Sequence, residues 1–302
     1  MISQRFIIVA GKGGVGRSTL SAALALCFAR KGLRTLLATS DAHEKTLSRL
    51  FGRKIDGCNT MVFKNLWAVN IQPMESIKEY ALMILKLRYL QHLLTGTRAM
   101  QSFIANIPGI AEWAIMGKIT WHLIEKASGA YVYDRIVLDA PPTGHSLSLI
   151  KIPLYITNVI RSGPLHAVAM ERLGLLTDPS TTGIMIVVVP EELIVSEALE
   201  MVENLRAEIG TPVLGVMVNR TLSPLFSKED EALIRQAADS GATGRRLRAA
   251  CFRIMRTGLQ QRQIDRLQGK LPLIILPEMS TRRMDFKDLT ILADALENKI
   301  FT

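Results

Sequence analysis

Cysteine is scarce in this 302-residue chain: Cys27, Cys58 and Cys251 stand far apart, with no C-x-x-C pair. That excludes a disulfide framework and argues against a thiolate zinc site, and a reducing compartment is the default expectation. Long apolar runs are missing too. Charges or Pro/Gly interrupt each one before it reaches the ~20 residues a bilayer span needs. Residues 5–10 already read as a strand, so no signal peptide is expected. Internal repeats and low-complexity segments are likewise lacking. The expectation is a soluble, cytoplasmic protein. What the chain has in quantity is core: 48% hydrophobic and 21% charged residues. This suits one large α/β domain over 1–302, or a domain carrying a sizeable insertion.

The formal charge of +10 suggests nucleic acid or anionic lipid as partners, but the basic residues are concentrated. Between residues 241 and 270, Arg245, Arg246, Arg248, Arg253, Arg256, Arg262, Arg266 and Lys270 face Asp265 alone. Arg245, Arg248, Arg256 and Arg262 beside Leu247, Ala250, Ile254 and Leu259 fit an amphipathic helix with a solvated face. Docking to acidic lipid or to a partner is the other reading.

The most informative stretch is Phe6 to Leu20. A β-branched apolar run enters a glycine cluster and passes directly into a helical pattern. Gly11, Lys12, Gly13, Gly14, Val15, Gly16, Arg17, Ser18 and Thr19 follow the phosphate-binding spacing G-x-x-x-x-G-K-[ST], except that Arg17 replaces the lysine. Such a loop turns backbone N–H groups toward a polyphosphate at the positive end of a helix. The hydroxyl of Ser18 would be the protein ligand of Mg²⁺. Two more strand ends supply carboxylates. Asp139 closes Arg135–Asp139 and would hold the Mg²⁺ hydration shell, next to a glycine-containing loop able to move. Asp41 follows the strand at 35–39 and is placed to orient an attacking water.

Strands are expected at 5–10, 35–39, 66–71, 135–139, 183–189, 213–218 and 271–276, and helices at 18–31, 193–209 and 286–298. The order predicts a mostly parallel sheet with helices on its faces. Residues 74–126 read as a helical insertion. Met61, Met74, Met83, Met100 and Met116 in or near it would be either ordinary core or the lining of a groove for an apolar client.

The early Lys12 in the glycine loop resembles the deviant P-loop of the MinD, ParA, nitrogenase-iron-protein and ArsA ATPases. The run Asp139-Ala140-Pro141-Pro142-Thr143-Gly144-His145-Ser146-Leu147 resembles the second switch of the ArsA branch, which includes arsenite-pump ATPases and ATPases that target tail-anchored membrane proteins. Leu66–Pro73, Pro108-Gly109-Ile110-Ala111-Glu112, Pro190-Glu191 with Glu197, and Val218-Asn219 are also similar to that branch.

The resemblance implies ATP with Mg²⁺ and a nucleotide-dependent dimer. It implies that Lys12 reaches the partner's phosphates, that Asp41 positions water, and that Asn219 reads adenine. It further implies that Asp139, Pro142, Thr143, Gly144 and His145 couple γ-phosphate loss to dimer opening. The helical region would form a client groove. Arg17, and Ser40-Asp41-Ala42-His43 without the family's proline, depart from the pattern at positions that touch hydrolysis. The metal-clamping and metalloid-binding cysteines are absent from the sequence.

Four functions follow: a targeting ATPase with a nucleotide-switched groove; an anion-efflux pump ATPase; a catalytically weakened subunit pairing with an intact homologue; and a ParA-like DNA-partition ATPase, which the second-switch motif disfavours. His43 and His145 fall in the switch loops, where hydrogen bonding rather than metal ligation is expected. Asp41→Ala should retain ATP binding and lose hydrolysis, measured as phosphate release. Unchanged turnover would remove Asp41 from the mechanism.

Overall fold

The first apolar run becomes β1 (Phe6–Gly11), with every residue buried. It lies between β7 (Arg135–Asp139) and β8 (Thr182–Val188) and runs parallel to both. Its side chains alternate between two cores, as the two-residue strand period requires. Phe6, Ile8 and Ala10 join one core, and Ile7 and Val9 join the other. A strand buried on both faces reads as continuous apolar sequence, which is why it was legible.

The computed structural model describes residues 2–40, 45–73, 75–76, 109–279, 281 and 283–301. The remaining strands of the main sheet are β2 (Thr35–Thr39), β3 (Thr60–Phe63), β4 (Leu66–Asn70), β9 (Val213–Thr221) and β10 (Leu273–Pro277). The order across the sheet is β10-β9-β8-β1-β7-β2-β4-β3. All pairings are parallel except β3 with β4 at one edge.

One face carries α1 (Arg17–Arg30), α2 (Thr46–Phe51) and α9 (Phe286–Ile300), whose Leu20, Leu24, Leu47, Leu50, Leu289 and Leu296 share a core with Ile7 and Val9. The other carries α3 (Ile110–Ile124), α4 (Thr143–Val159), α5 (Pro164–Thr177), α6 (Glu192–Glu208) and the C-terminal end of α8 (Arg245–Leu267). Full burial of a large aliphatic side chain is worth about 1.5–3 kcal/mol, so these two layers supply most of the driving force. Cys27 sits inside the first layer, where burial pushes its thiol up to about 12. All three cysteines are free thiols.

Within the stretch expected as a helical insertion, α3 is helical and belongs to the main core. Trp113, Met116, Ile119 and Leu123 pack with the sheet's own side chains. A short hairpin follows, β5 (Lys126–Ala127) with β6 (Ala130–Tyr131). Its turn, Ser128-Gly129, has φ of 52° and 83°, the two successive positive values a tight hairpin needs. Among the methionines singled out, Met61 is exposed on β3 and Met116 is fully buried. Met74, Met83 and Met100, with the rest of the proposed groove between 77 and 108, lie outside the described residues.

The strand expected to stop at Val218 continues to Thr221. A bulge between Ile275 and Pro277 lets β10 keep pairing past it, so Asn219 lies inside β9. Between β9 and β10 stand α7 (Lys228–Asp239), which buries no residue, and α8. The start of α7 is fixed instead by a capping box between Ser227 and Asp230.

Gly215 marks a close approach of backbones, since a Cβ there would lie 2.6 Å from the Pro272 carbonyl oxygen. Gly215→Ala should therefore force β9 and β10 apart and lower stability by about 2 kcal/mol, read as a shifted urea midpoint.

Candidate functional site

The sheet register brings three strand ends together. Val9 of β1 pairs with Asp139, and Thr39 of β2 pairs with Asp139 from the other side. The loops after β1, β7 and β2 therefore leave from one edge, the carboxyl edge where open α/β sheets bind ligands. Gly11–Gly16 is the first of these loops, and α1 starts from it at Arg17.

Glycine is required here by geometry. Gly14 and Gly16 have φ of 85° and 93°, in the left-handed region. A Cβ at Gly13 or Gly14 would point into open space. Gly16 is the N-cap of α1 and supplies no side-chain hydrogen bond, and the first turn holds no acidic residue. The first N–H groups of a 14-residue helix thus face the loop without a side-chain acceptor, the arrangement that suits phosphate. Ser18 and Thr19 sit half-buried in that first turn, and Val15 is anchored in the core. The loop fits a polyphosphate.

Arg17 turns inward. Its Nε donates to Asp139 Oδ1 at 3.1 Å and its Nη1 donates to the Gly11 carbonyl at 2.9 Å. The pair is buried, with side-chain exposures of 12% and 2%. The fork of a guanidinium can span the carboxylate and the carbonyl at once, whereas an ammonium is a compact point donor. Ser21, one turn along α1, donates to the Arg17 carbonyl at 3.0 Å and lies 3.5 Å from the same carboxylate oxygen. Nothing in the sequence pattern singled out Ser21, although a hydroxyl four residues after Arg17 falls on the same helix face.

Lys12 Nζ is 2.7 Å from Glu197 Oε1 on α6, a half-exposed ion pair within the chain. Gly11, Lys12 and Glu197 also line a narrow cleft with Ile194, Ala198 and Met201. Asn219 braces the loop from below. Its Nδ2 donates to the Val15 carbonyl at 2.8 Å, and its Oδ1 accepts from the Arg220 N–H at 3.0 Å. Those two bonds fix which end of the amide is which.

Pro142 is the N-cap of α4, so Thr143, Gly144 and His145 form a helical turn where a loop was expected; the connection after Asp139 is only Ala140–Pro142. Asp41 lies outside the described residues. Ser40, just before it, has a buried hydroxyl with no hydrogen-bond partner among the described residues.

A match to the family model described as anion-transporting ATPase, ArsA type, covers residues 4–166 and thus includes the loop, Arg17 and the segment after Asp139. This chain belongs to the ArsA ATPase family. ATP hydrolysis is therefore its class of chemistry. The chain is similar to ATPase BagA of Mycobacterium tuberculosis, at 30% identity over 76% of this chain and 68% of that one. It is also similar to ATPase ASNA1 homolog 2 of Paramecium tetraurelia, at 34% identity over 53% of this chain and 46% of the relative. With ATPase ARSA2 of Chlamydomonas reinhardtii it shares 28% identity over 78% of this chain and 64% of the relative. The match therefore spans less than two thirds of the latter two relatives.

The phosphate-loop spacing and the strand-end carboxylate put the expected Mg²⁺ site at Ser18 and Asp139. Both stand at the loop, one hydroxyl and one carboxylate. That sparse set suits a cation that keeps most of its waters and takes phosphate oxygens. Among the described residues, no cluster of three His, Cys, Asp or Glu side chains could hold a metal, and no helix is long and apolar enough to cross a membrane.

Removing one member of the buried Arg17–Asp139 pair leaves the other desolvated. Arg17→Met should cost about 3 kcal/mol in urea unfolding. Adding Asp139→Asn should restore part of that loss, a coupling the double-mutant cycle reads directly.

Proposed function

We propose that this chain is a nucleotide-switched ATPase. It binds ATP through Gly11–Thr19, hydrolyses it, and uses the change at the loop to open and close a dimer that holds an apolar client. The observation that carries this reading is the contact of Arg17 with both Asp139 and the Gly11 carbonyl. It joins the phosphate loop to the first residue of the second switch by one side chain.

The roles follow from the chemistry of each group. The backbone N–H groups of the loop bind phosphate oxygens. Bound Mg²⁺ supplies positive charge to the transferring phosphoryl group. Ser18 would offer the cation its hydroxyl, and Asp139, whose Oδ1 is now held by Arg17, would turn toward the cation's waters as that contact loosens. Binding therefore exchanges one partner of Asp139 for another. The α4 N-terminus, four residues further on, is the element placed to feel that exchange. Lys12, now on Glu197, is the cation that would reach the nucleotide of a second copy, where added charge stabilises the transition state. Asn219 would read adenine from its position under Val15. Asp41 would position the water. The dimer and the client groove rest on the resemblance of the glycine loop and of Asp139–Leu147 to the targeting ATPases, with the groove built from the part of 74–126 that precedes α3.

A second reading has its own support. Arginine in place of lysine, its fork spanning Asp139 and the Gly11 carbonyl at once, suits a subunit that binds nucleotide but turns over poorly beside an intact homologue. The family description as anion-transporting supports a pump-driving role instead, though the soft thiolate ligands a metalloid prefers are not clustered in this sequence.

Arg17→Lys separates the first two readings. If Arg17 slows an otherwise competent ATPase, the variant should raise steady-state phosphate release about tenfold while nucleotide affinity changes little. Equal turnover in both proteins, at a rate typical of ATPases, would remove the weakened-subunit reading. Absence of nucleotide binding by the wild-type chain would overturn the proposal itself.

A further inference from the structure

The basic helix α8 is not the simple solvated arginine helix its sequence suggests. Leu247 and Ala250 are half-buried and Ile254 is buried, as the sequence pattern requires, but Leu259 is exposed. Phe252 is 57% exposed, Met255 51% and Leu259 42%. These three lie at i, i+3 and i+7, one stripe of one helix face. Arg245, Arg248, Arg256 and Arg262 fall on the same face by the helical period and are all exposed. The Arg256 guanidinium stands 5.8 Å from the Phe252 ring centroid.

The other arginine of the middle of the helix points elsewhere: Arg253 is half-buried and donates to the Ser223 carbonyl at 2.8 Å. The only carboxylate of α8, Asp265, is occupied by Gln261 at 2.8 Å. Among the described residues, none of Arg245, Arg248, Arg256 and Arg262 has a carboxylate within ion-pair distance.

We propose that this face of α8 docks on an anionic lipid surface, with Phe252, Met255 and Leu259 entering the interface and the flanking arginines meeting lipid phosphates. Charge complementarity selects this occupant. Large apolar side chains interleaved with uncompensated arginines, on a convex helix face about 25 Å long, suit a planar anionic surface that can yield around each side chain. The arginine stems lie along apolar surface while their heads stay with phosphate.

The surrounding charges leave the face accessible. The acidic first turn of α7 (Glu229, Asp230, Glu231) belongs to a neighbouring helix, and Asp230 is tied back onto Ser227. At the C-terminal end, Leu259 and Arg262 line an open cleft of about 660 Å³ that also contains Glu192 and Asp265, and the uncompensated face ends there. The docking face is distinct from the nucleotide loop. It adds a membrane-surface contact to the proposed ATPase without depending on it.

The test is flotation of the nucleotide-free full chain with vesicles of phosphatidylcholine alone, or with phosphatidylserine as about a third of the lipid. The expected result is about tenfold stronger partition to the anionic vesicles, falling as salt rises from about 0.1 to 0.5 M. Arg248→Gln, Arg256→Gln and Arg262→Gln combined should abolish the preference. Phe252→Ser with Leu259→Ser should weaken it about tenfold at low salt. These residues are exposed, so unchanged thermal unfolding confirms that each variant is folded.

No preference for anionic vesicles overturns the proposal. So does binding that survives the Phe252 and Leu259 changes, which would indicate adsorption to any polyanion, nucleic acid included. Loss of a dimer on changing Phe252, seen by light scattering, would assign the stripe to a second copy and overturn it as well. Because nucleotide is absent throughout, failure here leaves the ATPase reading standing.

Discussion

The arrangement depends on a central strand that is buried on both faces and flanked by parallel neighbours. β1 has no exposed residue, so its sequence has no freedom to carry polar function, and the chain's chemistry begins where the strand stops. The parallel register then does what no local signal could. It sets Val9, Asp139 and Thr39 side by side, so the glycine loop, the segment after Asp139 and the approach to Asp41 share one edge. A sheet built from hairpins would have sent alternate loops to opposite ends.

At that edge one side chain ties the parts together. Arg17 satisfies a buried carboxylate and a loop carbonyl in the same conformation. This gives the residue that departs from the phosphate-loop pattern a structural part. A buried ion pair adds little net stability over an apolar alternative, but breaking it exposes an uncompensated charge to a poor solvent. The glycine loop and the end of β7 are therefore linked energetically through one side chain. Lys12 on Glu197 and Asn219 on Val15 extend the same theme: each residue that the family resemblance assigns to nucleotide has a partner inside the chain.

The hairpin of α7 and α8 follows a different logic. α7 buries nothing and α8 buries few residues, with Ile264 and Leu267 reaching the main core. α7 is held as a helix by its capping box and by solvation rather than by burial, whereas α8 has no side-chain cap and is anchored by Ile254, Ile264 and Leu267. Such elements tolerate exposed apolar side chains only where something else covers them or where their number stays small. Three on one face, each set among arginines, is a surface property that the sequence composition hinted at and the buried side of the helix made specific.

Sequence alone determined the α/β class, the strands buried on both faces, the glycine loop and its misfit Arg17, because these depend on local periodicity and on backbone conformations that only certain residues allow. It located Asp139 as a strand end and identified the basic segment. It did not give the partners. That Arg17 takes Asp139, that Asn219 lies inside a strand beneath Val15, and that Leu259 faces outward beside Phe252 depend on register, a bulge in β10 and the side of α8 that meets the core. Each joins residues far apart in the chain, and only the tertiary structure, where burial decides which face turns inward, could settle them.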